Sequence, residues 1–449
     1  MWNAVGDQLV AGGGRRLALM LCLNFDHPDI EEFIDSKLNL GKLNNANISI
    51  VIPADYDASD FVKAVEDGAE IPLRFNGRPD HEGRTINARL LWDRIVDNAS
   101  TSGEPGVLNA HLANKESNVW YSHPLISTNP CGEQWLPGYG CCDLGAIVLP
   151  RHVRNGRVDW GSLRQTIDIG VRFLDNILTV NDYPLPEMQQ MAQDERRIGL
   201  GVMGLHSMML DCGVQYGTRE GLNFIDSLFR FIKEEAYVSS TDLAGEKGAF
   251  PLYDPALLES GFMQRMEPEV RSLIETKGLR NCCLLTVAPT GTTAIVQNVT
   301  SGIEPMFSPV YYRRRFVPMK NGKKRIHRTL VISKDYTDHL FLAEGAYDIP
   351  PESHFEVQKL VQSHVDSAVS KTINIPKAFP KDKLAALWLR YLPSVKGTTL
   401  YREGSRAEEP LEYIPTKDLP KILSNWTGDI ENEDGSKSID PCVWGVCDV

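Results

Sequence analysis

Apolar positions along the chain follow two periods. The run "LALMLCLNF", Leu17 to Phe25, is continuously apolar and predicts a buried strand, while "LNLGKLNNANISIVI" predicts an Asn-rich loop leading into an alternating strand. Between them "HPDIEEFIDSK" reads as an acidic amphipathic helix, and the opening "MWNAVGDQLVAGGGRR" as a helix end followed by a Gly-Arg turn. Residues 160 to 250 are mostly of helical period, with "RRIGLGVMGLHSMMLDCG" read as a Gly-punctuated, closely packed helix. "CDLGAIVL" predicts a buried strand; "RNCCLLTVAPTGTTAIVQNVTSGIEPMF" predicts strand, tight turn, helix and turn. A further helix-strand unit runs from "VQSHVDSAVSKTINI" to "KGTTLYREGSR". The pattern is α/β, with no repeat of solenoid length. Past Arg406 prolines and acidic residues replace core-forming runs, so the division expected is a body over 1–406 and a mobile tail over 407–449.

Length and charge narrow the function classes. The 449 residues, 42% hydrophobic, suffice for one large domain or two to three ordinary ones. With 47 basic against 59 acidic residues the net charge is −12, which argues against a protein that coats nucleic-acid phosphate. The longest apolar run falls far short of the ~20 residues that span a bilayer. Acidic "DHPDIEEFID" follows it, without a small-residue cleavage site, so it is read as a strand of a cytoplasmic protein and not as a leader. The chain has 9 cysteines, an odd number that does not suit a small secreted disulfide scaffold. In a reducing compartment, clustered thiols point to catalysis or metal binding.

The densest chemistry lies in "STNPCGEQWLPGYGCCDLGAI". If the segment is extended, Asn129, Cys131 and Glu133 share one face, with Pro130 and Gly132 shaping the backbone. A carboxylate neighbour disfavours a thiolate, so Cys131 is suited to remain a neutral thiol, and a neutral thiol beside a carboxylate suits hydrogen-atom chemistry. The plain alternative is a loop with a partly buried cysteine. Cys141-Cys142 are either small core residues or a dithiol that supplies two electrons. Cys442 and Cys447, near the end of the tail, could then reduce the resulting disulfide by thiol exchange. A structural zinc site at that last pair would need four ligands, and no His or second Cys pair lies close in sequence. Pro289, Thr290, Gly291, Thr292 and Thr293 form a turn at a helix start, which can either cradle phosphate or merely cap the helix.

In their order, "NPCGE", "CDLGAI", "RRIGLGVMGL", "APTGTTAIV", "SGIEP" and "KGTTLYREGSR" resemble the catalytic chain of ribonucleotide reductases, especially the adenosylcobalamin-dependent class II enzymes, over nearly the whole chain. The resemblance implies a ten-stranded α/β barrel of two antiparallel half-barrels with a central finger loop. It implies that Cys131 bears the thiyl radical that removes the ribose 3′ hydrogen, that Glu133 is the base for the 3′ hydroxyl, and that Asn129 holds substrate. It also implies that Cys142 is one of the active-site redox cysteines, and that Cys442 and Cys447 relay electrons from thioredoxin or glutaredoxin. The Pro289–Thr293 turn would bind the phosphates of a ribonucleoside di- or triphosphate. The segment with Lys42, Asn44, Asn45 and Asn47 would be the specificity loop that reads a nucleotide effector, in a homodimer with no membrane or nucleic-acid polymer as partner.

Two departures accompany it. The family's other active-site redox cysteine lies upstream of "VAGGGRR", where this chain has almost nothing, so the first strands are missing, supplied by another polypeptide, or dispensed with; Cys22 is not at the matching place. Members served by a separate ferritin-like radical subunit carry two adjacent barrel tyrosines, whereas here Tyr401 is followed by Arg402, which favours cobalamin. The rival readings are the same chain with a separate radical subunit, a thiol redox or metal-binding protein, and a silent partner that assembles with a missing half.

Overall fold

A computed structural model describes residues 2–8, 10–11, 15–38, 43, 45–318, 324–333, 339, 344–405, 411–424, 429–431 and 437–439. Lys42, Asn44, Cys442 and Cys447 lie outside the described residues.

Strands Leu19–Asn24, Ala46–Ile52 and Gly106–Asn109 run parallel. Gly397–Arg402 joins the last of them antiparallel, Gly397 opposite Leu108, and Thr372–Ile375 runs parallel to Gly397–Arg402. Single parallel bridges, Val287 with Val369 and Leu200 with Leu285, carry the pairing on to the parallel pair Asp143–Val148 and Ile198–Met203. All but one of these contacts are parallel, so helical crossovers must cover the sheet. Helices Trp160–Val180 and Arg219–Lys247 cover one part, packing Leu163, Ile167, Val171, Ile225, Leu228 and Ile232 against Ile198, Leu200 and Val202. Ala58–Asp67, Ala88–Ser102 and Lys381–Tyr391 cover the other, with Phe61, Trp92 and Trp388 at its centre.

The long helices begin at capped ends. Asp159 accepts from the Ser162 N–H at 3.0 Å, Thr218 from Gly221 at 3.0 Å and Asn87 from Leu90 at 3.2 Å. Each cap satisfies one of the four N–H groups that a helix start leaves without an intrahelical partner.

Two expectations change. The run Leu17 to Phe25 does hold a strand, Leu19–Asn24, but no residue of the strand itself is fully buried. Among the described residues it pairs on one side only, with Ala46–Ile52, and so it is an edge strand. "RRIGLGVMGLHSMMLDCG" is not one helix: Ile198–Met203 is a fully buried strand, and only Leu205–Asp211 is helical. Its Ile-Gly-Leu-Gly-Val order alternates with the period of a strand, large residues on the helix-covered face and glycines on the other. Leu411–Tyr413 pairs with Val310–Pro318, and Leu419 and Ile414 pack on Val310 and Leu330.

The face opposite the helices is filled by a hairpin. Ser127–Thr128 and Trp135–Leu136 pair antiparallel, and Trp135, 1% exposed, packs with Val51, Leu108, Leu125 and Ala368. The glycines of Ile198–Met203 make room there. A Cβ on Gly199 would lie 2.7 Å from Gln134 Nε2 and 2.6 Å from Leu144 Cδ2, and one on Gly201 would lie 2.2 Å from the Thr286 carbonyl oxygen.

Gly201→Ala therefore forces two backbones apart and is expected to cost about 1–3 kcal/mol or more. Gly245→Ala, in an exposed helical position with nothing within 4 Å of the added carbon, is expected to gain about 0.5–1 kcal/mol. Denaturant melts of both variants against the wild-type chain check the contrast, and equal stabilities would refute the packing role.

Candidate active site

The loop that joins the hairpin strands carries Asn129, Cys131 and Glu133. It is not the extended segment that alternation predicts. Gly132 takes φ +79°, its N–H bonds the Asn129 carbonyl at 3.0 Å, and the Asn129 N–H bonds the Gln134 carbonyl at 3.2 Å. Asn129 Oδ1 accepts the Gln134 N–H at 3.0 Å, closing the loop a second time. The turn separates two environments that alternation would have merged. Cys131 is exposed at the tip, while Glu133 is 2% exposed at the base.

Three walls grip the loop. The Glu133 carbonyl oxygen accepts the Thr286 hydroxyl at 2.7 Å, the Ala368 N–H at 2.9 Å and the Ser367 hydroxyl at 3.0 Å. The Asn47 amide donates to the Pro130 carbonyl at 2.7 Å, and the Trp135 indole N–H to the Lys396 carbonyl at 3.2 Å. With main chain and indole held in this way, the tip is fixed over a cleft lined by Met20, Asn47, Glu104, Cys131, Lys371 and Thr399, among others.

Burial raises the Glu133 pKa above its ordinary value, and a hydrogen bond from the Asn129 side chain offsets part of the rise. Among the described residues Glu133 Oε2 has no hydrogen-bond partner. A buried carboxylate oxygen without a donor is costly in its charged form, in keeping with the raised pKa.

Cys142 lies just before Asp143–Val148, the strand whose Leu144 meets Gln134 of the hairpin over Gly199. It is half-buried; burial holds its thiol well above the ordinary value, with Cys283 adding to the rise and Arg197 opposing it. Cys141 is also half-buried and raised, by burial first and then by Asp143 and Glu195. The structure thus brings Asn129, Cys131 and Glu133 into one loop, whereas Cys142 does not line the cleft beneath Cys131 and lies near Cys283 and Arg197. Cys22 also faces the hairpin, its sulfur 3.4 Å from Ser127 Oγ.

Pro289 and Thr290 are half-buried, and Gly291, Thr292 and Thr293 are exposed at the start of the short helix Gly291–Gln297. Thr290 takes φ +52°, rare for a threonine, and its hydroxyl accepts the Gly302 N–H at 2.8 Å. Asn45 is buried in a turn where its N–H bonds Asn3 Oδ1 at 3.0 Å, and Asn47 sits within Ala46–Ile52. Thr286, Ser367, Lys371 and Glu304 were not singled out from sequence. Glu304 lies inside the "SGIEP" stretch, but its partner Lys371 is 67 residues away in sequence.

Residues 1–401 match the model of the family "Ribonucleotide reductase, barrel domain". The chain is 33% identical over 443 residues to a vitamin B12-dependent ribonucleoside-diphosphate reductase of Mycobacterium tuberculosis H37Rv, covering 93% of this chain and 60% of that protein. A protein of the same description from Thermoplasma acidophilum is 31% identical over 445 residues, covering 92% of this chain and 54% of that one. A ribonucleoside-diphosphate reductase subunit alpha of Chlamydia pneumoniae is 26% identical over 410 residues, covering 79% and 38%. This chain spans about 60% or less of the length of these relatives. With a barrel-domain match over most of its length, the chain belongs to the ribonucleotide reductase family.

Proposed function

We propose that this chain reduces a ribonucleotide to its 2′-deoxyribonucleotide by thiyl radical chemistry, as a ribonucleoside-diphosphate reductase. The observation that carries the reading is the loop tip, where an exposed thiol stands two residues from a buried carboxylate, one oxygen of which has no hydrogen-bond partner among the described residues. In this reading the sulfur of Cys131 takes the hydrogen atom from C3′ while Glu133 takes the proton of the 3′ hydroxyl and Asn129 holds it in register. The 2′ hydroxyl leaves as water with a proton from a thiol. Cys142 and a second thiol together give up two electrons and two protons and join as a disulfide. Cys131 then returns its hydrogen to C3′ and Glu133 its proton to O3′, so the net change is ribonucleotide plus dithiol to deoxyribonucleotide, disulfide and water.

Adenosylcobalamin is the cofactor this reading takes, supported by the names of the better-matching relatives and by Arg402 following Tyr401. The residues present fit it. Cys131 is exposed, and nothing among the described residues lies within 4 Å of where a Gly132 Cβ would be, so a bulky group can approach the sulfur from the loop tip. When bound, the cofactor supplies the unpaired electron that Cys131 acquires as it gives up its hydrogen.

The same reading assigns the Pro289–Thr293 turn to the substrate phosphates and the segment around Lys42, Asn44, Asn45 and Asn47 to an effector nucleotide. The Asn47 amide on the Pro130 carbonyl gives that segment a direct hold on the radical loop. Cys442 and Cys447, in a tail over 407–449, would pass electrons from thioredoxin or glutaredoxin, and the working form would be a cytoplasmic homodimer. No helix among the described residues is long and apolar enough to cross a membrane. The strand order extends naturally to a ten-stranded barrel of two half-barrels around the hairpin as its finger loop. Two further strands, from a longer chain or a second polypeptide, would close the gap between the edges Leu19–Asn24 and Asp143–Val148.

The direct test is anaerobic turnover of a labelled ribonucleoside diphosphate with dithiothreitol and adenosylcobalamin. Deoxynucleotide is expected from the wild-type chain and none from Cys131→Ala; product that persists in the variant, or forms without cobalamin, refutes the assignment.

Glu133 also links function to stability. Because its pKa is raised in the folded state, folding takes up a proton between the unfolded and folded pKa values, so stability falls as pH climbs through that window. Glu133→Gln lacks this loss. Its melting temperature is expected to exceed that of wild type at pH 8, with a margin that shrinks towards pH 4, while turnover drops at least 100-fold. A constant margin across pH would show that the carboxyl is not perturbed.

A further inference from the structure

The cleft wall beside Cys131 includes a lysine whose side chain is 0% exposed. Lys371 Nζ donates to Glu304 Oε2 at 2.7 Å, to His354 Nδ1 at 3.2 Å and to the Thr372 carbonyl at 3.3 Å. His354 Nε2 lies 2.9 Å from the Ala346 carbonyl, which can only accept, so the ring proton is on Nε2 and Nδ1 accepts from the lysine. An ammonium has three protons, and all three are engaged. Lys371 is therefore not built to donate to a ligand.

Its hold on Glu304 reaches further. Glu304 Oε1 accepts the Thr372 N–H at 2.5 Å, and the Glu304 N–H bonds the Ser301 carbonyl at 2.8 Å, so the carboxylate anchors the turn Ser301–Glu304 to the strand Thr372–Ile375. The same turn supplies the Gly302 N–H that holds the Thr290 hydroxyl at 2.8 Å, and Thr290 keeps its unfavourable φ of +52° within that contact. Tyr216 reinforces the turn, its hydroxyl donating to the Ile303 carbonyl at 2.8 Å while Lys371 Nζ lies 5.8 Å from its ring centre. On its other side Lys371 is continuous with Val369 and Ser370 of the cleft, and the preceding Ala368 donates to the Glu133 carbonyl.

We propose that Lys371 is a positioning residue for substrate phosphate: through Glu304 it sets the Pro289–Thr293 turn at a fixed distance from the Cys131 loop, so that a nucleotide held by its phosphates presents its ribose to the thiol. This rests on the nucleotide reading above. Two loops far apart in sequence must keep one spacing for the reaction, and an ion pair whose lysine is buried with all its protons engaged is a stiff way to keep it.

Lys371→Met alone leaves the part-buried Glu304 carboxylate without its cation, so the informative variant is Lys371→Met/Glu304→Gln, which removes both charges and keeps an acceptor for the Thr372 N–H. ADP binding to the full chain by calorimetry, the melting temperature, and the rate of Cys131 alkylation by iodoacetamide are measured on wild type and double variant. The proposal expects a melting temperature within a few degrees of wild type, an alkylation rate within twofold, and ADP affinity at least tenfold weaker. Unchanged ADP affinity in the double variant overturns the role of Lys371 and leaves the nucleotide reading standing. Weaker binding accompanied by a several-fold change in alkylation also overturns it, because the pair would then support the whole cleft and not the phosphate turn. A wild-type chain that does not bind ADP overturns both.

Discussion

The candidate site depends on one main-chain atom, the carbonyl oxygen of Glu133. It accepts three hydrogen bonds, from Thr286, Ser367 and Ala368, one more than its two lone pairs accommodate in an ideal geometry. The donors come from two neighbouring stretches of the parallel sheet, which Val287 and Val369 bridge. Holding the carbonyl there has two effects. The Glu133 side chain is drawn into the buried base of the loop, and the chain before it turns back through Gly132, leaving Cys131 at the exposed tip. The opposed environments of thiol and carboxylate therefore follow from backbone anchoring, with little contribution from side-chain choice at Cys131 itself.

The anchoring is possible because the sheet leaves space for it. Gly199 and Gly201 remove the side chains that would otherwise stand where Gln134 and the Thr286 backbone lie, and Trp135 fills the remainder with its indole tied to Lys396. A close-packed interior transmits such constraints with little slack. The strand Ile198–Met203 thus does opposite things on its two faces. Ile198, Leu200 and Val202 bury against the helices and hold the sheet together, while the glycines admit a polar loop.

How much of this was readable in the sequence differed by interaction range. The loop residues Asn129, Cys131 and Glu133 stood out because proline, glycine, thiol and carboxylate crowd five positions, and the structure keeps them together, although in a turn and not on one extended face. Ile198–Met203 was misread as helix because helical runs follow on both sides, although its own alternation of large residue and glycine has period two. The Thr286 and Ser367 hydroxyls and the Lys371–Glu304 pair carry no local signal. Threonine in an apolar stretch reads as a strand residue, and a lysine before "TINI" reads as a solvated strand end. Only the fold, which brings Glu304 beside Lys371, shows that this lysine is buried and its ammonium satisfied.

The thiols share one electrostatic condition. Burial raises the pKa of Cys22, Cys141, Cys142, Cys282 and Cys283, and neighbouring carboxylates raise several of them further. At neutral pH these sulfurs are protonated, so chemistry that begins with a thiolate is disfavoured inside the fold. Hydrogen-atom transfer carries no such requirement, because the sulfur loses a proton and an electron together. Thiol exchange does need a thiolate, so under the proposed function the attacking sulfur would come from outside this interior and Cys142 would be a sulfur that is attacked. Under the proposed function, keeping the internal thiols neutral and bringing the ionisable one from elsewhere would separate radical chemistry from reductive recharging by burial alone.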